Sequence, residues 1–103
     1  YYTIGMQIKP SYSTARFNLA WVLLMMEKFK EAEELLADLG KDTESPLAQA
    51  KILNNHGCAL WLLGRRQEAF SQFQKALRVF PGLREAQENL DLSPGQKPVL
   101  AGG

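Results

Sequence analysis

The chain has 103 residues, room for one small domain. Its formal net charge of +1 argues against a nucleic-acid binder, which carries a clustered basic excess, and leaves no polybasic patch for a membrane surface. The uncharged stretch at 17–26 is far too short to span a bilayer, which needs about 20 apolar residues.

The chain opens on YYTIGMQIKP with no initiator methionine, as expected of a piece of a longer chain or one whose start is missing. From residue 11 to 26 the apolar positions Tyr12, Ala15, Phe17, Leu19, Ala20, Val22, Leu23 and Met26 recur at a spacing of three to four residues, a helix period. A second helix is expected over 29–39, where Phe29, Ala32, Leu35, Leu36 and Leu39 share a face opposite Lys and Glu. The break between the two is only a few residues, so they pack antiparallel. Gly40 reads as a helix cap. Ser45 followed by Pro46 reads as an N-cap and first helical residue, opening a long helix to about Leu63 that Gly64 ends. The stretch RRQEAFSQFQKALRVF gives another amphipathic helix, stopped at Pro81. A short helix follows from Arg84 to about Leu92. The remainder, 93–103, is rich in Pro and Gly and is expected to be a loose, flexible tail. No stretch alternates with period 2, so no sheet is expected.

Short helix pairs cannot each bury a face alone, which makes an internal repeat the next thing to seek. In the second pair Gly57, Ala69 and Ala76 are small, Leu60 and Phe73 are large, and Pro81 ends the unit. The small residues allow close approach of the paired helices and the large ones fill the space between. This pattern resembles the tetratricopeptide repeat, a 34-residue helix–turn–helix motif with small residues and a terminal proline at these positions. Gln67 and His56 depart from it. The first pair matches more loosely through Leu19, Ala20, Leu23, Phe29, Ala32 and Leu36. There Glu27 replaces the turn glycine and Leu39 the second small residue, and a three-residue insertion lengthens the connection before Pro46. Tyr2, Gly5 and Pro10 match the end of a preceding repeat, and Ala86, Asn89 and Leu90 the opening of a following one.

The resemblance therefore implies an all-α, tetratricopeptide-type right-handed helical-hairpin solenoid of two full repeats flanked by partial ones. Residues 1–10 are the second helix of a preceding repeat, 11–44 repeat one, 45–82 repeat two, 83–92 a capping helix or the first of a further repeat, and 93–103 the tail.

In such a solenoid the first helix of each pair lines a concave face. The residues expected there are Thr14, Phe17, Asn18, Trp21, Leu24 and Met25, then Lys51, Asn54, Asn55, Cys58, Trp61 and Leu62, then Glu85, Glu88, Asn89 and Leu92. Asn18, Asn55 and Asn89 stand 37 and 34 residues apart and fall at one place in the frame. A carboxamide offers both a donor and an acceptor, so it can pair with a peptide backbone whatever its sequence. Some tetratricopeptide superhelices carry such an asparagine ladder. The bland alternative is that these amides bond a neighbouring helix or water. Trp21 and Trp61, read as corresponding residues of adjacent helices, would give the groove apolar anchors together with Phe17 and Leu24; the alternative is that they pack against neighbouring helices. Capture of a chaperone's C-terminal carboxylate is disfavoured, because Lys51 is the groove's only base and Phe17, Trp21 and Cys58 take the clamp positions.

His56 and Cys58 stand two apart on a helix and diverge by about 200°, so they do not form a metal or nucleophile site; His56 reads as a half-buried packing residue. Arg65 and Arg66 read as a solvated turn. No phosphate loop, catalytic triad or paired carboxylate is present. The expected function is a protein-interaction module that binds a peptide segment or helix of a partner and is not an enzyme, with no cofactor, no nucleic acid and no membrane insertion. Two alternatives stay open: self-association as a homodimer through open repeat ends, or the targeting domain of a larger enzyme. The single Cys58 fits a reducing, cytoplasmic setting without requiring one.

Overall fold

The computed structural model describes residues 4–40, 45–93 and 95–101, with side chains from Ala15 onward. It contains five helices and, among the described residues, no strand: α1 (Ile4–Met25), α2 (Phe29–Leu39), α3 (Pro46–Leu62), α4 (Arg66–Val79) and α5 (Arg84–Leu90). The side-chain roles read for Tyr2, Pro10 and Thr14, the packing of Gly5 and the insertion at 41–44 lie outside the described residues. Among those described, no helix is long and apolar enough to cross a membrane.

One expected boundary is absent. The sequence places a helix end at Pro10, but α1 runs through it for 22 residues. Proline's φ of about −65° suits a helix; its cost in the interior, ~3 kcal/mol, disfavours such a position without forbidding it.

The two helix–helix turns repeat atom for atom. After α3, Arg65 N donates to Leu60 O (2.8 Å) and Gly64 N to Trp61 O (3.0 Å). After α1, Lys28 N donates to Leu23 O (2.8 Å) and Glu27 N to Leu24 O (3.1 Å), each 37 residues earlier. This paired closure needs a left-handed residue at its centre. Gly64 supplies it at φ 89°, whereas Glu27 adopts φ 64° with a full side chain. The sequence departure at Glu27 thus becomes a strained position in the structure.

The start of α3 follows the sequence closely. Ser45 is extended, its hydroxyl accepts from Ala48 N at 3.4 Å, and Pro46 occupies the first turn. Against α4 the helices approach through small residues. A Cβ built on Gly57 would lie 2.6 Å from Phe73 Cε1 and 3.0 Å from the Ala69 carbonyl oxygen. Only glycine fits there.

Three apolar clusters run along the molecule. The first joins Phe17, Ala20 and Leu24 of α1 to Ala32, Leu36 and Leu39 of α2 and to Ile52 and Ala59 of α3. The second joins Cys58, Leu60 and Trp61 to Ala69 and Phe73 of α4. The third packs Ala50, Ala76, Leu83 and Ala86. His56 is half-buried, and its Nε2 lies 2.7 Å from Glu33 Oε2, which ties α3 to the preceding helix α2. Arg16 pairs with Asp38 across α1 and α2.

Candidate peptide-binding groove

Asn54 and Asn55 of α3 and Asn89 of α5 are all fully buried. A buried carboxamide is costly unless its donors and acceptor are paired, so their partners define the site. Those partners belong to the tail. Residues 95–101, expected to be loose, instead lie against the helices, held by side chains that the helical lattice presents in series.

The geometry is that of a strand pair in which asparagine side chains replace the second strand. Val99 N donates to Asn89 Oδ1 at 2.7 Å, and Asn89 Nδ2 donates to Val99 O at 2.9 Å. Two residues on, Ala101 N donates to Asn55 Oδ1 at 2.7 Å, and Asn55 Nδ2 donates to Ala101 O at 3.0 Å. In an extended chain the N–H and C=O of one residue point the same way, and alternate residues share an edge. Residues 99 and 101 therefore turn their polar edge to the asparagines, and one carboxamide satisfies both groups of each.

Asn54 couples the two clamps. It accepts from Asn89 Nδ2 at 2.7 Å and donates to Asn55 Oδ1 at 3.1 Å and to Val99 O at 3.0 Å. Each clamp amide is thereby fixed in the orientation that suits the peptide. Cys58 Sγ also lies 3.4 Å from Val99 O, and burial pushes its thiol far above the ordinary value of 9.0. Upstream, Trp61 Nε1 donates to Gln96 O at 3.0 Å. The Trp61 ring is held edge-on to Phe70 at 5.4 Å with the Arg66 guanidinium 5.3 Å from its centroid, so its N–H is aimed. Leu100 packs against both the first and the second apolar cluster.

Of the residues read from the sequence as groove-lining, Asn54, Asn55, Cys58, Trp61 and Asn89 meet on this segment. Phe17 and Leu24 are buried in the first cluster, on which Leu100 also rests. Asn18 is exposed and Lys51 is half-buried, and neither side chain makes a hydrogen bond among the described residues. Trp21 is half-buried, and its Nε1 is buried without a partner among the described residues. Its reading as the counterpart of Trp61 needs correction. The 37-residue offset that superposes the two turns pairs Trp21 with Cys58, and Trp61 with Leu24. The residues that sequence reasoning missed are Gln96, Val99, Leu100 and Ala101. The apolar run PVLA inside an otherwise Pro-, Gly- and polar-rich tail was the one available signal.

Residues 49–80 match the family model of the tetratricopeptide repeat. No curated protein and no solved structure matches the chain significantly. The matched span covers most of α3, the Gly64 turn and α4, the pair whose close approach Gly57 permits. The repeat is generally a module of protein–protein interaction. Residues 49–80 thus match a tetratricopeptide repeat, in a chain whose described residues form helical hairpins and no strand.

Proposed function

We propose that this chain is a protein-interaction module whose concave face grips an extended segment of a partner by its backbone. Asn55 and Asn89 are the two clamps, Asn54 is their brace and Trp61 anchors the upstream end. The observation that carries this reading is the pair of two-bond clamps on alternate residues, which would hold any chain of the right shape in the same way. Phe17 and Leu24 provide apolar footing beside it. The test uses the full chain with Val99→Pro and Leu100→Asp, which removes one clamped N–H and the apolar contact, so that the groove is vacated. A labelled peptide, Gln-Lys-Pro-Val-Leu-Ala, is expected to bind this variant, and Asn55→Ala with Asn89→Ala to abolish binding while the helical circular dichroism persists. Binding indifferent to both asparagines would refute the reading.

A second reading, self-association through the α1 end, has one observation in its favour. Leu19 and Val22 of α1, and Met26 just past its end, are exposed. Their counterparts 37 residues on, His56, Ala59 and Leu63, include two that α2 covers. Light scattering across a concentration series tests it; a mass independent of concentration refutes it.

A further inference from the structure

We infer that the groove selects sequence as well as backbone: it takes extended segments of the pattern proline, any residue, large aliphatic, small residue, and the chain's own Pro98-Val99-Leu100-Ala101 is a built-in occupant of that type. This rests on the groove reading above and specifies its ligand.

The four positions differ in what surrounds them. Val99 is clamped by its backbone but 37% exposed, so its side chain is not read. Leu100 has its backbone on the opposite edge and its half-buried side chain against both apolar clusters, one joining α1, α2 and α3 and the other α3 and α4. A polar or charged residue there would be partly desolvated without a partner. Ala101 is fully buried, so its methyl has no free surface into which a larger side chain could grow. Pro98 stands one residue before a clamped position. Its backbone faces away from the asparagines in the extended register, so the missing N–H removes no clamp bond. Its fixed φ, and the extended bias it imposes on Lys97, reduce the freedom lost on docking.

The same contacts make the segment a competitor. The short connection from α5 confines it near the groove at an effective concentration of order mM, so a partner segment must displace it.

The test again uses the full chain with Val99→Pro and Leu100→Asp, read by fluorescence anisotropy. The labelled peptide Gln-Lys-Pro-Val-Leu-Ala is expected to bind this variant at least ~10-fold more tightly than it binds the unaltered chain. Peptides with Asp in place of Leu, or Leu in place of Ala, are expected to bind ~10-fold or more weakly, and one with Thr in place of Val within ~3-fold. Equal affinity for the Leu and Asp peptides would overturn the sequence pattern while the backbone grip stood. Equal affinity of the variant and the unaltered chain would overturn the built-in occupant. Binding of no peptide at all would overturn this proposal and the groove reading together.

Discussion

Asn89→Asp changes one NH₂ to an oxygen and almost nothing in shape. In the structure that NH₂ lies 2.7 Å from Asn54 Oδ1 and 2.9 Å from Val99 O, so the substitution turns two donor–acceptor contacts into two acceptor–acceptor contacts. Each lost bond is worth about 1 kcal/mol, and each buried oxygen left unpaired costs about 1–3 kcal/mol. A carboxylate at a fully buried position adds a desolvation cost of its own. The total exceeds about 3 kcal/mol, or ~100-fold in the docking equilibrium. The tail has a cheaper escape than unfolding: it leaves, and water solvates the carboxylate. The variant is therefore expected to stay helical by circular dichroism. The thiol of Cys58, now fully buried, is expected to react with a thiol reagent many times faster than in the unaltered chain. Unchanged thiol reactivity in a folded Asn89→Asp protein would refute the reasoning.

Gly57→Ala gains about 1 kcal/mol of helix propensity. It also forces a Cβ to within 2.6 Å of the fully buried Phe73 ring and 3.0 Å of a backbone oxygen. A net loss of about 1–2 kcal/mol is expected in a denaturant titration. Glu27→Gly relieves a left-handed conformation, φ 64°, that Gly64 already occupies without strain. It is expected to stabilise by up to about 1 kcal/mol in the same titration. The thiol of Cys58 has a raised pKa in the folded chain, so the folded state keeps a proton that the unfolded state releases. Stability is expected to fall as pH rises past 9.0, by up to about 1.4 kcal/mol per pH unit, and Cys58→Ser to remove that increment.

The helical frame could be read from residues because each helix carries its own local signals. Ser45 and Pro46 open α3, Gly64 closes it, and Gly57, Ala69 and Ala76 announce a close pair. Pro10 misled because a proline's preference against helix interiors yields when the helix continues on both sides. Asn55 and Asn89 were legible as rungs because the repeat places them alike. Asn18 shares their register but not their environment: it is exposed, since no described segment reaches it. The docked tail was hidden for a different reason. Its Pro and Gly content is what a disordered segment also shows, and what holds it is not local. Its partners lie up to 46 residues away, and the bonds join side chains to backbone, which leaves no periodicity in the tail itself. The bracing role of Asn54 was hidden likewise, because it depends on two amides of different helices meeting.

The alternation of the clamps gives the most direct measurement. Amide hydrogen exchange, resolved by NMR at Val99, Leu100 and Ala101, separates a held segment from a tail that only lies near the surface. Two asparagine clamps on alternate residues predict that the Val99 and Ala101 amides exchange at least ~10-fold more slowly than that of Leu100, and that Asn55→Ala releases Ala101 first. Uniformly fast exchange across all three amides would contradict the clamped groove.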